Sequence, residues 1–292
     1  MSILVTGSNS FVGKFLVTYL ASLNFNIIAA WNINKPDFTH LPEDKRLRIK
    51  TIQLDLNRQS IHKLIPENIN SIIHLAGISL PIKSSFEFVE SNIIPINNLV
   101  NFAHAFEVKK FIFLSSISVY GDVIDNIVTE HTALQNPDMY GTSKYLSEVI
   151  LKDSGLNTVS IRIPGVLGRT AHRHLLSNIL KLSLAGDKIQ IFNPNSPFNN
   201  AIHIADLSKF ISLLLDFDWV GNHAAPIAAS GQCAIGEIIR VIIELCNSKS
   251  EIEILRSDRK SFLISSKYFI DQFGYRPNDI TEIVRQYVIE SL

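Results

Sequence analysis

Short apolar segments alternate with amphipathic segments through the first half of the chain, and this alternation constrains the fold most. Six apolar runs are rich in β-branched residues and apolar on both faces, as expected of strands that helices cover on both sides. They are Ile3–Val5, Ile27–Ala30, Ile49–Leu54, Ser71–Leu75, Lys110–Leu114 and Thr158–Ile163. Helical patterns lie between them at Phe11–Leu23, Phe86–Phe106 and Met139–Ser154. The sequence therefore predicts an α/β protein built on a doubly wound parallel sheet.

The pattern changes after about Gly168, where helix candidates are no longer separated by buried strands. These candidates are His174–Leu184, Ala205–Phe217, Ile235–Cys246 and Ile280–Ile289. A length of 292 residues suggests one to two domains. We predict a first domain at 1–168 and a smaller substrate domain at 169–292, with 202–217 returning to the first. Pro95 predicts a kink within the pattern Phe86–Phe106.

The charge balance argues against two classes of partner. Lys plus Arg and Asp plus Glu each number 27, so the formal net charge is zero, and nothing favours nucleic acid or an anionic membrane. No signal-peptide pattern is present, and no apolar run approaches the ~20 residues of a membrane span. Cys233 and Cys246 have the spacing of neither a metal site nor a disulfide framework. We expect a cytoplasmic protein with two core thiols and no metal.

The first strand candidate runs into a glycine-containing loop, Thr6–Gly13, directly before a helix pattern. In a dinucleotide site, such glycines let backbone N–H groups approach the pyrophosphate, and the helix N-terminus favours its charge. Gly7 and Gly13 are in place, but Ser10 stands in the middle position where glycine is expected. Tight turns also use glycine, so the loop alone leaves both readings open. As a cofactor site of a Rossmann-like domain, it includes Gly7, Ser10, Phe11, Val12 and Gly13.

The ends of the second and third strand candidates bear on which dinucleotide is bound. NAD sites usually place an acid after the second strand for the ribose 2′-hydroxyl. This chain has Trp31 there, followed by Lys35, so the missing acid favours NADP while NAD stays open. Asp55 stands where such folds often contact adenine, although a carboxylate in a turn is an equally simple explanation.

A serine-rich strand end and a Tyr–Lys pair carry the strongest chemical signal. The strand candidate Lys110–Leu114 is followed by Ser115 and Ser116, and Tyr140 and Lys144 open a later helix pattern. Because they are four residues apart, Tyr140 and Lys144 share one helix face, with Cβ atoms about 5–6 Å apart. A free tyrosine has a pKa near ~10, and a neighbouring ammonium together with an oxidised nicotinamide favours its phenolate. The serine hydroxyl can hold the substrate oxygen, so the set suits proton and hydride exchange between a carbinol and a carbonyl.

Seven segments in order resemble one family. They are Thr6–Gly13, His74–Gly77, Ser115–Gly121, Tyr140–Lys144, Ile161–Gly168, Ala201–Asp206 and Phe273–Pro277. Together they resemble the extended short-chain dehydrogenase/reductases, the NAD-dependent epimerase/dehydratase group that modifies nucleotide sugars. The resemblance covers nearly the whole chain and implies an NAD(P)-dependent oxidoreductase or epimerase with a Rossmann-like fold.

The resemblance also implies roles for individual residues. Ser116 is the hydroxyl donor, Tyr140 is the acid/base, and Lys144 orients the cofactor ribose and lowers the pKa of the tyrosine. Asn92 helps to fix the active-site loop. The implied cofactor contacts are Gly7, Ser10, Phe11, Val12, Gly13, Trp31, Asp55, Leu56, Leu75, Ala76, Gly77, Tyr140, Lys144 and Pro164. The implied substrate contacts are Ser79, Ser116, Ser118, Arg173 and Asn178.

Two departures from the family pattern narrow the reaction. Sugar dehydratases carry an Asp–Glu pair where this chain has Ile117 and Ser118, so a dehydratase would lack its acid and base. Asn199 replaces an arginine that often binds a substrate phosphate. A basic cluster at Arg169, His172, Arg173 and His174 supplies that contact instead, or is an exposed helix start.

Three functions remain open. The first is C4 epimerisation or 4-keto reduction of a nucleotide sugar, the second is reduction of a non-nucleotide carbonyl compound, and the third is a non-catalytic cofactor-binding sensor. Family members often dimerise through a four-helix bundle, so we expect a homodimer formed by the helices near 86–106 and 139–154. Phe102, Phe106, Tyr145 and Ile150 are its expected outward-facing apolar residues.

Overall fold

The computed structural model describes residues 2–66, 68–79, 84–172, 174–257 and 260–292. Within these ranges the strands are β1 Ser2–Thr6, β2 Asn26–Trp31, β3 Ile49–Gln53, β4 Ile69–His74, β5 Lys110–Ser116, β6 Ile127–Val128, β7 Thr158–Ile163, β8 Gly165–Leu167, β9 Ile189–Phe192, β10 Pro197–Phe198, β11 Ala201–His203, β12 Asn222–Pro226, β13 Cys233–Ala234, β14 Ile252–Leu255 and β15 Leu263–Ile264. The α-helices are α1 Phe11–Ser22, α2 Glu43–Arg46, α3 Phe86–Phe88, α4 Ile94–Ala105, α5 Met139–Asp153, α6 Leu175–Ala185, α7 Ile204–Asp216, α8 Ile235–Leu245, α9 Lys267–Phe273 and α10 Ile280–Ser291. Two 3₁₀ turns cover Gln59–Lys63 and Ile117–Tyr120, and one π-helical turn covers Val89–Ile93.

Seven strands form a central sheet in the order β12-β7-β5-β4-β1-β2-β3. The pairs from β3 to β5 are parallel, and β1 and β4 are buried along most of their length. Strand order reverses between β1 and β4, which is the switch point where doubly wound sheets bind ligands at the carboxyl ends of the strands. The predicted Rossmann-like parallel sheet is confirmed, with strands at all six predicted positions.

The helical pattern predicted over Phe86–Phe106 is broken into three pieces. The short helix α3 leads into the π-helical turn Val89–Ile93, and α4 begins at Ile94 with Pro95 in its first turn. Proline is tolerated there because the N–H groups of a first helical turn have no partner within the helix. The irregularity therefore precedes the proline, and it places Asn92 in the widened turn.

The described chain divides into two compact units. The first unit contains 1–122, 134–162 and 211–224, and the second contains 123–133, 163–210 and 225–292. Residues 202–210 thus fall in the second unit, whereas 211–224 lie with the first. The division at residue 168, with 202–217 returning to the first domain, stays a prediction.

Each unit has its own apolar core. In the first, residues of β1, β2, β4 and β5 pack against α4 and against Leu151 of α5. In the second, α6, α8 and α10 pack against one another and against β9, with Cys233 and Cys246 partly buried beside them. Among the described residues, no helix is long and apolar enough to cross a bilayer, and no cluster of His, Cys, Asp and Glu is arranged to hold a metal.

The expected outward faces of the two helices are corrected in part. Phe102 is only 2% exposed and belongs to the core of the first unit, so its assignment to an outer face is wrong. Phe106 and Ile150 are partly buried against the same core. Tyr145 is 40% exposed and Leu146 is 41% exposed, so α5 does present apolar side chains to solvent.

Candidate active site

The loop between β1 and α1 is built around two close backbone approaches. Gly7 has φ of +71°, and a Cβ there would lie 2.7 Å from the backbone nitrogen of Ala76. A Cβ on Gly13 would lie 2.2 Å from the carbonyl oxygen of Gly7. Any side chain at either position would fill the space between the loop, the end of β4 and the first turn of α1. The two glycines thus allow the loop to pack closely against the end of β4 and the first turn of α1, which is the arrangement expected of a pyrophosphate-binding loop.

Ser10 fits this loop without being glycine. Its φ is −67°, an ordinary extended conformation, and it is the N-cap residue of α1. Its Oγ accepts a hydrogen bond from the backbone N–H of Gly13 at 3.0 Å, which satisfies one of the donors left free at a helix start. The departure from the glycine pattern therefore stabilises the helix that carries the loop.

A cavity of about 390 Å³ opens along the carboxyl ends of β1, β2, β3 and β4. Eight of the predicted cofactor contacts line it, namely Gly7, Ser10, Trp31, Asp55, Leu56, Leu75, Ala76 and Gly77. Other lining residues were not predicted from the sequence, among them Asn9, Asn32, Asn34, Asn57, Glu90 and Ser91. Position could have indicated Asn32 and Asn57, because they lie two and three residues after the ends of predicted strands of a parallel sheet. The residues present fit a dinucleotide bound across the switch point.

Asp55 and Trp31 differ in how their polar atoms are occupied. The Asp55 carboxylate accepts from the backbone N–H of Asn57 at 3.1 Å and pairs with Arg58 at 3.4 Å. Trp31 is half-buried, and its indole N–H is buried without a hydrogen-bond partner. Phe11, Val12 and Gly13 belong to the first turn of α1 rather than to the cavity lining.

Ser116, Tyr140 and Lys144 lie together in the first unit. Ser116 ends β5, and its Oγ accepts from the backbone N–H of Ser118 and donates to the Ser118 hydroxyl, both at 3.1 Å. The side chains of Ser116 and Tyr140 are also hydrogen bonded. The ammonium of Lys144 lies 5.9 Å from the centre of the Tyr140 ring. The predicted spatial grouping is therefore observed, and the catalytic roles stay a proposal.

The start of α5 brings Tyr140 to Ser116. Asp138 caps this helix, accepting from the backbone N–H of Gly141 at 2.7 Å. A Cβ on Gly141 would lie 2.1 Å from the carbonyl oxygen of Ser118. Only glycine therefore lets the first turn of α5 rest directly on the 3₁₀ turn that follows Ser116.

The protonation properties of the pair are set mainly by burial. Burial raises the pKa of Tyr140, and this effect outweighs the hydrogen bond with Ser116, which lowers it. Burial lowers the pKa of Lys144 to about 8, with Glu148 acting in the opposite direction. The expectation that Lys144 together with an oxidised nicotinamide favours the phenolate stays a prediction, because these two directions describe the protein groups alone. The phenolate requires a further positive charge, such as an oxidised nicotinamide.

Asn92 ties the loop after β4 to α5. Its Oδ1 accepts from the backbone N–H of Ile78 at 2.8 Å, and its amide donates to the Ile78 carbonyl at 3.2 Å and to Ser143 Oγ at 2.9 Å. Gly77, with φ of +151°, lies against this amide and close to the Lys144 ammonium. This agrees with the expectation that Asn92 fixes the loop. Ser79, a predicted substrate contact, is exposed just beyond it.

Several predicted residues belong to the second unit. Asn199 is buried, and its amide binds Ala229 O, Ile264 O and Ile264 N, so it has no polar atom to spare for a phosphate. His174 caps α6 through Nδ1, and burial lowers its pKa to about 4, so it is neutral and not a cation for an anionic substrate. Pro164 is buried and Asn178 is exposed on α6. Arg169 and His172 are exposed, whereas Arg173 lies outside the described residues.

The sheet, the glycine loop and the Ser–Tyr–Lys grouping define a class, the NAD-dependent enzymes with a Rossmann-like domain. Residues 3–225 match the model of the NAD dependent epimerase/dehydratase family. The chain therefore belongs to this family, within the extended short-chain dehydrogenase/reductases.

Relatives within the family differ in reaction. A UDP-glucose 4-epimerase from Corynebacterium glutamicum is 24% identical over 97% of this chain and 94% of its own. A dTDP-4-dehydro-6-deoxy-D-allose reductase from Streptomyces is 21% identical over 87% of this chain and 83% of its own. The solved structure of UDP-glucuronic acid 4-epimerase from Bacillus cereus in complex with NAD has a TM-score of 0.82 at 20% identity, covering 99% of both chains. The preference for NADP predicted from Trp31 finds no support in that NAD complex.

Proposed function

We propose that this protein catalyses C4 epimerisation of a nucleotide sugar with a resident NAD. The observation that carries the proposal is the grouping of Ser116, Tyr140 and Lys144 beside a cavity that fits a dinucleotide. The full-length similarity to a UDP-glucose 4-epimerase supports the choice of reaction. Membership of an enzyme family argues against the third function considered from the sequence, a non-catalytic cofactor-binding sensor.

In the proposed mechanism, a bound dinucleotide would supply hydride transfer, and the protein's own side chains move the proton. Ser116 Oγ binds the sugar oxygen, and Tyr140 takes the hydroxyl proton as the carbinol becomes a carbonyl. Tyr140 returns that proton when the carbonyl is reduced on its other face. Lys144 holds positive charge close to the phenol, which favours proton release in the first half of the cycle.

The residues next to Ser116 support epimerisation over dehydration. Ile117 and Ser118 begin the 3₁₀ turn Ile117–Tyr120, so no carboxylate stands where a dehydratase has its Asp–Glu pair. Ser118 is committed to Ser116 through two hydrogen bonds. Elimination of water from the sugar therefore has no acid and base at these two positions.

A 4-keto reductase is the second candidate, because the same three residues serve it and a dTDP-4-keto sugar reductase is similar over most of the chain. The third candidate is a reductase of a non-nucleotide carbonyl compound. It is favoured because the Asn199 amide, which stands where an arginine often binds a substrate phosphate, is already hydrogen bonded within its own unit. The candidates differ in whether the dinucleotide stays bound through turnover or is spent once per cycle.

The test is to denature the purified protein, identify any dinucleotide that is released, and titrate the stripped protein with NADH and NADPH. Retained NAD, together with interconversion of UDP-glucose and UDP-galactose or of UDP-glucuronic and UDP-galacturonic acid, supports the epimerase. Exchangeable NADPH with turnover of 4-keto sugars would replace it by the reductase. Tyr140→Phe should abolish either reaction while leaving dinucleotide affinity within a few-fold, and Tyr145→Phe on the same helix is its matched control.

A homodimer through α4 and α5 is also proposed, supported by the exposed Tyr145 and Leu146 on α5. The exposed residues of α4 include the polar Asn97, Asn101 and His104, so such an interface would be mixed in character. Sedimentation of the wild-type protein beside Leu146→Asp tests it, since a buried carboxylate would split the dimer. A cytoplasmic location stays a prediction.

A further inference from the structure

A buried ion pair lies directly beside the Tyr–Lys face of α5. Glu148 follows Lys144 by one helical turn, as Lys144 follows Tyr140, so the three side chains share a face. Arg162 on β7 donates hydrogen bonds to the Glu148 carboxylate. Its Nε lies 3.1 and 3.2 Å from the two carboxylate oxygens, and its Nη2 lies 2.8 Å from Oε2. Glu148 is 4% exposed and Arg162 is 7% exposed.

The remaining polar atoms of the pair are tied to the segment that carries Ser116. Ser115 Oγ donates to Glu148 Oε1. Arg162 Nη1 donates to the Tyr120 hydroxyl at 3.0 Å, and the guanidinium lies 5.0 Å from the centre of that ring. The buried Glu148–Arg162 pair therefore links β5, the 3₁₀ turn, α5 and β7 through hydrogen bonds.

Lys144 takes no part in this ion pair, although its charge is close to it. Its ammonium donates to Leu114 O at 2.9 Å and lies 4.7 Å from the centre of the Phe113 ring. Two buried cations thus accompany one buried anion, and the anion is held by the other cation. The excess positive charge therefore stays on Lys144, whose ammonium lies 5.9 Å from the centre of the Tyr140 ring.

Other titratable groups around Lys144 add little compensating charge. On β4, burial holds the pKa of His74 at about 3, so this imidazole is neutral. Glu90 on the π-helical turn is exposed and therefore screened by solvent. Tyr120 on the 3₁₀ turn accepts a hydrogen bond from Arg162 through its hydroxyl oxygen. Among the described residues of the first unit, the buried Asp, Glu, Lys and Arg side chains are Lys144, Glu148 and Arg162.

We propose that Glu148 and Arg162 are positioning residues that fix the place and charge of Lys144 and, through it, proton transfer at Tyr140. This inference rests on the proposed function, since it takes Tyr140 as the acid/base. Loss of Glu148 leaves the Arg162 charge uncompensated and repelling Lys144. Loss of Arg162 frees a buried carboxylate that attracts the Lys144 ammonium away from Leu114. The two losses therefore perturb Lys144 in opposite directions.

The experiment compares Glu148→Gln, Arg162→Met and the double variant. The titration of Lys144 is followed by NMR of protein carrying ¹³C at lysine Cε, with Lys144→Met to assign the signal. We expect the midpoint to move down by about two pH units in Glu148→Gln and up by a similar amount in Arg162→Met, as one unit charge about 6 Å away would cause at an effective dielectric constant of about 20. The double variant should return close to the wild-type midpoint, and the alkaline limb of the pH–activity profile should follow each shift.

Lys110→Met is the matched control. Lys110 begins β5, at the opposite end from Ser116, and its ammonium donates to Leu214 O, Leu215 O and Phe217 O. Its loss removes a partly buried cation and should leave the Lys144 midpoint unchanged. If Arg162→Met does not fold, Arg162→Lys keeps the charge but not the two-pronged grip, and should lower turnover with little shift of the midpoint.

Unchanged midpoints of the Lys144 titration, or shifts of equal sign in the two single variants, would overturn the inference. The Glu148–Arg162 pair would then only stabilise the fold. The titration needs no substrate. Opposite shifts in a protein that turns over no nucleotide sugar would therefore refute the proposed function and retain the link from Glu148 and Arg162 to Lys144.

Discussion

Gly141→Ala tests whether the close contact between α5 and the 3₁₀ turn sets the catalytic geometry. An added Cβ would stand 2.1 Å from the carbonyl oxygen of Ser118, and real Cβ contacts essentially never fall below 3.0 Å. The helix start and the turn must therefore separate by about 0.9 Å, which is 3.0 minus 2.1. A misplacement of about 1 Å at reacting groups costs about 100-fold in rate. We expect Gly141→Ala to lower kcat/KM for the nucleotide sugar by about that factor.

The assay pairs turnover with two controls for folding. Alanine favours a helix over glycine by about 1 kcal/mol, so the variant should fold, and its NAD affinity should stay within a few-fold because Gly141 does not line the cavity. Gly155→Ala is the matched control, since Gly155 has φ of +71° and an added Cβ meets nothing within 4 Å. It should lose about 1–2 kcal/mol of unfolding free energy to backbone strain and keep its turnover. Full activity in Gly141→Ala, or an equal loss in Gly155→Ala, would refute the reasoning.

Three further predictions concern the cofactor loop and the buried histidine. Ser10→Ala should lower the unfolding free energy by about 1 kcal/mol and Ser10→Gly by only a few tenths, measured by urea unfolding; equal losses would contradict the capping role. Gly7→Ala should abolish NAD binding in a fluorescence titration, because its Cβ would enter the Ala76 backbone; retained affinity would remove the loop from the cofactor site. Burial holds the pKa of His74 at about 3 against 6.5 when unfolded, so the unfolded chain binds more protons below pH 6.5 and stability falls as pH drops through this window, by at most about 1.4 kcal/mol per pH unit. His74→Phe should show a shallower loss between about pH 7 and about pH 5, whereas an equal slope would mean that other groups dominate.

The strand ends were the part of the site best predicted from the sequence. In a parallel sheet every strand delivers its carboxyl end to the same edge, so residues following β1, β4 and β5 had to meet there. Gly7, Ala76 and Gly77 accordingly share one cavity. Ser10 departs from the glycine motif of the cofactor loop, but the motif specifies residue types and not backbone φ angles. Its backbone angle and its cap to Gly13 show why serine is accepted.

Burial is what the sequence could not supply. The spacing of Tyr140 and Lys144 suggested that the ammonium would lower the tyrosine pKa, but desolvation acts on both side chains and has the larger effect. His174 was grouped with neighbouring cations by proximity in the chain, yet it is enclosed and neutral. Asn199 stands where the family often has an arginine, but its three hydrogen bonds to backbone groups became apparent only in the folded second unit.

Around Lys144, the sequence predicts which residues share a helix face but not which charges surround them. Tyr140, Lys144 and Glu148 follow one another at intervals of four residues, so a helix places a carboxylate one turn from Lys144. In the folded chain, Arg162 on β7 binds both oxygens of this carboxylate. A lysine whose pKa lies at about 8 is sensitive to each neighbouring charge near neutral pH. The sign of the charge beside Tyr140 thus depends on a strand that is adjacent to α5 only in the folded protein.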